Sequence, residues 1–340
     1  MKKEIQIICT ILIGISSVLY LKWAITPSTK NGFNRVFSED SILINRVIPI
    51  KSRYGKILSV NNTNIVLLDG SYHSLIFLDS NANIIKKVIP QIYFPTANLN
   101  FINDAIIEPN KNIILSGNSR YIFICPDFSG NSLSKKEWLN FTYTHAVVIN
   151  SSTIIFRKPD SSFKNPIFIK YNLYKHSVVD SNYLSHKFND TGLSTDGLLL
   201  FNNIDKLFYV NHYNSEISQF DTTLNLIRKI TSIDSTKKLP TVFYNPHNKT
   251  YKFSSPNIIV NNSAAANSKY LVINSLKRAD NENFTHYRDN CIDIYFSKTG
   301  LYKSTFHIQN KYGSEIIDMK LYENNILLVL TNKSLLFLKI

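Results

Sequence analysis

The chain reads as an all-β protein built as a closed ring of four-stranded antiparallel sheets, and three observations carry this expectation. Short apolar runs bounded by Asn, Asp, Ser and Gly recur along nearly the whole sequence. They fall into successive groups of four, which is a repeat signature despite poor residue identity. One such run stands alone before the first group and one is missing from the last, so pairing the two closes the ring and leaves no sheet without its outer strand.

In chain order, Met1 to Ile25 begins with Lys2 and Lys3, continues with an apolar run from Ile5 to Leu21, and then meets Lys22 and Pro27. Signal anchors and secretory signal peptides share this layout, and the uncleaved anchor is preferred because the nearest small-residue pattern, Gly14 and Ser16, would leave a short apolar core. Cys9 follows Ile8, which argues against a lipoprotein signal. Residues 26–40 are polar and read as a linker, and the domain proper is expected over 41–340.

The lone strand is Ile42 to Ile48. The first group follows as Lys56 to Val60, then Asn64 to Val88, NIVLLDGSYHSLIFLDSNANIIKKV. Ile65 to Leu68 and Leu75 to Leu78 are apolar at consecutive positions, so both strands are expected to be covered on two faces. Ile84 to Val88 carries Lys86 and Lys87 and reads as an outer strand. Further groups start at Asp104, His145, Leu198 and Asn257, and a last, three-stranded one runs from Ile316 to Lys339. No long amphipathic helix pattern appears after residue 40. The competing architecture is a pair of β-sandwiches, which also space short strands regularly.

The pattern of an apolar strand, an Asn-, Ser- or Gly-rich turn, a strand ending in Phe-Asp or Leu-Asp, and a tight turn into an outer strand is clear in LLDGSYHSLIFLDSNANIIKKV and FYVNHYNSEISQFDTTLNLIRKI. It resembles the repeat of NHL-like and TolB-like six-bladed β-propellers, with Asn in place of most of the usual turn glycines. The resemblance implies six blades over 41–340, the last completed by the N-terminal strand.

With strands lettered A to D from the axis outward, the A–B and C–D turns are short and share one face. The long D–A connections (91–103, 180–196, 231–256) and B–C connections (158–166, 274–290) share the other. The resemblance implies that ligands bind on this long-loop face, across the channel mouth. Tyr72, His73, Arg120, Arg157, His212, Tyr213, Arg278 and Arg288 lie on B–C connections there, a ring of cationic and aromatic groups suited to an anionic or glycan ligand or a protein partner. The bland alternative is that loops are polar and exposed in any case.

Some propellers of this kind are calcium-dependent lactonases or esterases. The matching positions here are Asp104, Asp196, Asn257 and Asp318, hard oxygen donors of the type Ca²⁺ takes. No catalytic residue is assigned and no cofactor is required, so a binding or scaffolding module is the leading expectation and a metal-dependent hydrolase the alternative.

The formal net charge of +14 comes from scattered lysines and arginines without interleaved aromatics, so a nucleic-acid partner is not expected. The sequence holds no zinc-helix motif, nucleophile elbow, phosphate-binding glycine loop or dinucleotide fingerprint. Cys125 and Cys291 fall in groups on opposite sides of a ring of six, farther apart than the roughly 7 Å a disulfide spans, and are expected to be separate thiols. The N-terminal segment makes the membrane a partner, with the domain outside the cytoplasm.

Overall fold

The computed structural model describes residues 14–17, 30–38, 43–50, 54–60, 64–70, 74–79, 81–89, 102–108, 111–116, 121–125, 135–183, 188–282, 289–322 and 325–340. Strand β1 (Leu43–Pro49) precedes a first sheet of β2 (Tyr54–Val60), β3 (Asn64–Asp69), β4 (Leu75–Asp79) and β5 (Ile84–Val88). The second holds β6 (Ile102–Glu108), β7 (Lys111–Ser116), β8 (Tyr121–Cys125) and β9 (Lys135–Trp138); the third β10 (His145–Asn150), β11 (Thr153–Pro159), β12 (Pro166–Asn172) and β13 (Ser177–Tyr183). The fourth is β14 (Gly197–Phe201), β15 (Lys206–Asn211), β16 (Glu216–Asp221) and β17 (Leu226–Thr231), followed by a separate hairpin, β18 (Val242–Asn245) with β19 (Thr250–Phe253). The fifth is β20 (Asn261–Ala266), β21 (Tyr270–Ser275), β22 (Asn290–Phe296) and β23 (Tyr302–Ile308). The last comprises β24 (Ile316–Leu321), β25 (Ile326–Thr331) and β26 (Ser334–Lys339), with β1 as its fourth strand.

The innermost strands β2, β6, β10, β14, β20 and β24 each touch the next, and β24 returns to β2, so the sheets stand around a common axis. This is a β-propeller. Closure is non-covalent: β1 runs antiparallel to β26, with Leu43 opposite Lys339 and Pro49 opposite Ser334. Burial follows the layering. In β3 the run Ile65 to Leu68 is buried at every position, because both faces of a middle strand meet neighbouring sheets. In β5 only Val88 is buried, as expected for the rim. Each described apolar cluster joins two adjacent sheets. Leu67 and Ile76 of the first pack with Leu328 and Leu335 of the last, and Val272 and Ile294 of the fifth with Val329 and Leu336.

The repeat read from the sequence has a local cause in the turn after the third strand. Asp79 Oδ1 accepts the amides of Asn81 and Asn83 at 2.7 and 2.8 Å, and Asp221 Oδ1 accepts those of Thr223 and Asn225 at 2.8 and 2.9 Å. Both turns pass through the left-handed region, at Ala82 (φ 58°) and Leu224 (φ 64°). Such a backbone costs an L-residue about 1–2 kcal/mol. At Leu224 burial of the side chain against Phe168 and Phe220 offsets it.

Three features differ from expectation. The inner strand of the fifth sheet is NNSAAA, Asn261–Ala266, and not the apolar Asn257 to Val260. Ala264, Ala265 and Ala266 are all buried, Ala264 and Ala266 in the cluster shared with the fourth sheet and Ala265 in the one shared with the last. The connection 231–256 contains the β18–β19 hairpin. Within the stretch expected as a linker, residues 31–38 dock on the fifth sheet: Thr305 donates its amide to Val36 O at 2.8 Å, Ser38 donates to Thr305 O at 3.0 Å, and Phe37 forms a parallel bridge with Thr305. The reason is Arg35, whose buried guanidinium pairs with Asp293 of β22 and with Glu282.

The anchor expected over residues 1–25 lies outside the described residues except for 14–17, which are helical; among the described residues no helix is long and apolar enough to cross a membrane. Cys291 is a free, buried thiol, pushed up to about 12 by that burial. Cys125 sits in β8 of the second sheet, across the ring from β22, and its side chain is outside the described set.

Candidate binding face

The seam between the third and fourth sheets gathers residues from several loops on the long-loop face. Arg157 ends the buried run of β11 and is only 2% exposed. Its Nη2 donates to Gly192 O at 2.7 Å and its Nη1 to Thr144 Oγ1 at 2.8 Å, while Nη1 lies 3.3 Å from Asp196 Oδ1. The guanidinium carbon sits 5.5 Å from the centre of the Tyr209 ring, a cation–π distance. Gly192 is required here: φ is +85°, and a Cβ would meet Arg157 Nη2 at 2.6 Å. Asp190 holds this loop in shape by accepting the amides of Gly192 and Ser194 at 2.8 and 2.9 Å. Arg157, expected to face a ligand, therefore turns its charge inward, because the connection from β13 to β14 folds over it and offers carbonyls.

Asp196 precedes the inner strand β14 and remains 34% exposed. Its Oδ1 is 2.8 Å from His145 Nε2, at the start of β10. Burial by itself raises the Asp196 carboxyl, but the hydrogen bond from His145 and the charges of His145, Arg157 and His212 outweigh it and hold the group below the ordinary carboxylate range. His212 points Nδ1 at Asn261 O at 2.7 Å, and its own carbonyl accepts the amides of Val260 and Asn261 at 2.7 and 3.1 Å. The fourth and fifth sheets are thereby joined at the mouth.

Beside this seam lies a pocket of about 530 Å³, inside the range of small-ligand sites. Tyr213, Asn257 and Arg278, drawn from separate stretches of sequence, all line it. Tyr213 is buried and meets Phe253 of the hairpin edge-on at 5.5 Å, which fixes the hairpin to the fourth sheet. Lys277 donates to Thr236 Oγ1 at 2.9 Å, closing another wall. Arg278 Nη2 donates to Glu282 O at 2.6 Å, and its carbonyl accepts Asn31 Nδ2 at 2.9 Å, so the docked N-terminal stretch borders the same pocket.

Of the residues singled out by sequence, Arg157, His212, Asp196, Tyr213, Asn257 and Arg278 meet on this face. Tyr72, His73, Arg120 and Arg288 lie outside the described residues, as does the side chain of Asp104. The described members of the calcium set do not fit a cation. Asp196 is already paired with Arg157 and hydrogen-bonded to His145, and Asn257 falls in a connection and not at a strand start. Asp318 Oδ2 accepts the amide of Ile57 across the β24–β2 seam at 2.7 Å, and desolvation raises its carboxyl. Among the described residues no group of three or more His, Cys, Asp or Glu is placed to hold a metal ion. Sequence reasoning passed over His145 and Thr144 of the seam and Lys238, which lines the pocket; the position of His145, at the head of an inner strand, was the available signal.

No protein-family model and no curated protein matches the sequence. Solved structures do match in fold. A putative exported protein from Bacteroides fragilis superposes with a TM-score of 0.53 at 10% identity, covering 91% of this chain and 94% of that one. U3-55K gives 0.52 at 8% identity, over 88% and 100% of the two chains. The WD40 β-propeller domain of Doa1 gives 0.50 at 9% identity, over 88% and 97%. At such identities the likeness establishes the fold alone, and the chain is a β-propeller of no assigned family.

Proposed function

We propose that this chain is a six-bladed propeller, held at a membrane by its N-terminal segment with the domain outside the cytoplasm, that serves as a binding or scaffolding module through its long-loop face. The reading rests on one observation above others: Tyr213, Asn257 and Arg278 line one pocket on that face, beside the seam of His145, Asp196 and His212. A preformed concavity with aromatic and cationic groups is what recognition of a protein or of a small anionic or glycan ligand needs. The internal ties of Arg157 and Asp190 supply the rigidity that such a surface requires.

Amine-directed crosslinking of the full chain in its native membrane fraction, with the sites mapped by mass spectrometry, tests the reading. Crosslinks to a partner at Lys158, Lys164 or Lys277 on the long-loop face are the expected result. Attachment confined to Lys175, Lys206 and Lys298 on the opposite turns, or recovery of the chain in the soluble cytoplasmic fraction, overturns it.

A further inference from the structure

The chain enters the fold on the long-loop face. Asp280 accepts the amides of Asn31 and Gly32 at 2.6 and 3.0 Å and donates its own amide to Phe33 O at 2.8 Å, while Asn31 Nδ2 donates to Arg278 O at 2.9 Å. Asn31 is thereby pinned at the edge of the pocket beside the β18–β19 hairpin. Only six residues separate it from Ile25, the end of the apolar N-terminal segment. An extended chain gains at most about 3.6 Å per residue, so a segment held in a bilayer keeps this face within about 20 Å of the lipid surface. The short-turn face then points away from the membrane.

At this point the face is amphipathic. The hairpin is fixed at its base by Phe253 against Tyr213, whereas Phe243 and Tyr244, toward its tip, are both exposed. Lys252 stands opposite Phe243 in register, Lys249 lies in the turn and Lys238 lines the pocket; all three are exposed, and none forms an ion pair among the described residues. Ile258, 82% exposed, and Leu276 extend the apolar surface beside them. No Asp or Glu occurs from Ser235 to Ala279. The flanking acids are turned elsewhere: Asp234 accepts the amide of Thr236 at 3.0 Å, and Asp280 holds Asn31 and Gly32. Aromatic rings flanked by lysines without counter-charges suit the boundary between headgroups and acyl chains, where the rings enter and the ammonium groups meet phosphates. The short tether makes that contact intramolecular, so a modest affinity suffices to hold it. We infer that the β18–β19 hairpin, with Ile258 and Leu276, docks on an anionic phospholipid bilayer, Phe243 and Tyr244 at the acyl boundary and Lys249 and Lys252 against the phosphates. The inference rests on the anchoring proposed above and adds which face meets the membrane and by what chemistry.

The full chain is reconstituted into vesicles of phosphatidylcholine and phosphatidylglycerol that contain a phospholipid with a photoactivatable diazirine on its acyl chain, and lipid adducts are mapped by mass spectrometry. Adducts are expected on residues 242–253 as well as on the apolar run 5–21. In vesicles of phosphatidylcholine alone the hairpin adducts are expected to fall at least about fivefold, the factor one lysine contributes at an anionic surface, while those on residues 5–21 stay constant. Phe243→Ser and Lys252→Glu are each expected to lower the hairpin adducts by a similar factor; both side chains are exposed, so an unchanged melting curve verifies the fold. Adducts on residues 5–21 with none on the hairpin overturn this inference and leave the anchor in place. Equal labelling in the two lipid mixtures, insensitivity to both substitutions, or crosslinks from Lys249 and Lys252 to a second protein in native membranes without lipid adducts there also overturns it. Adducts on the hairpin but not on residues 5–21 support the docking and remove the anchor, and labelling of neither removes both.

Discussion

Two buried arginines, Arg35 against the fifth sheet and Arg157 at the seam of the third and fourth, do different work. Arg35 enters from the N-terminal stretch and meets two carboxylates, Asp293 and Glu282, with its side chain fully enclosed. Burial alone lowers its pKa, but the hydrogen bond and charge of Asp293 outweigh that and raise it. Arg157 instead meets carbonyls, a hydroxyl and the Tyr209 ring, and shares a half-exposed Asp196 with His145. A closed charge network fastens one segment to another. An open one leaves polar atoms at a surface where something else can reach them, and that contrast separates the strap from the candidate site.

The largest expected effect tests the closed network. Arg35→Ala strands Asp293 and Glu282 in the interior, and loss of one partner of a buried ion pair costs about 3–5 kcal/mol. Chemical denaturation followed by circular dichroism should register it. Replacing the whole network, Arg35→Met with Asp293→Leu and Glu282→Gln, should recover most of that loss; a triple variant as unstable as the single one would show that the strap is held by something other than charge.

Arg157→Ala is expected to cost less, about 2 kcal/mol, because the stranded groups are mainly neutral carbonyls and a hydroxyl and not a pair of carboxylates. It should also loosen the loop around Gly192, seen as faster amide exchange at Gly192 and Ser194. If the two alanine variants prove equally destabilising, the distinction between closed and open networks fails.

The smallest effect concerns pH. A carboxyl held low contributes stability that is fully present above the ordinary carboxylate range and is lost as pH falls through the lowered pKa. For Asp196 that window lies below the usual carboxylate midpoint, because His145 and Arg157 favour the ionised form. NMR titration of the Asp196 carboxyl should place its midpoint there, and His145→Ala should move it upward. No upward movement would mean that Arg157 alone sets it.

Much of this architecture was legible in the sequence because it is enforced locally. Asp79 and Asp221 tie their turns through hydrogen bonds two and four residues ahead, so the pattern survives although the intervening residues differ. Pairs of residues across the seams were not legible. Arg157 and Asp196 are far apart in sequence, and nothing local tells whether an arginine at the end of a strand turns outward or beneath the next loop. The inner strand Asn261–Ala266 was missed for a related reason: its small, polar residues match no strand signal, and only packing between the neighbouring sheets buries them.

By itself the sequence determined the repeated turns, the apolar middle strands and the closure of the last sheet by β1, since each depends on residues close in sequence or on counting strands. The tertiary structure decided which loops meet at the mouth, which charges are closed in pairs, and that the stretch after the N-terminal segment is a strap bordering a cationic, apolar pocket. Those outcomes depend on contacts between residues as far apart as Asn31 and Asp280, where chain topology and not local preference brings the groups together.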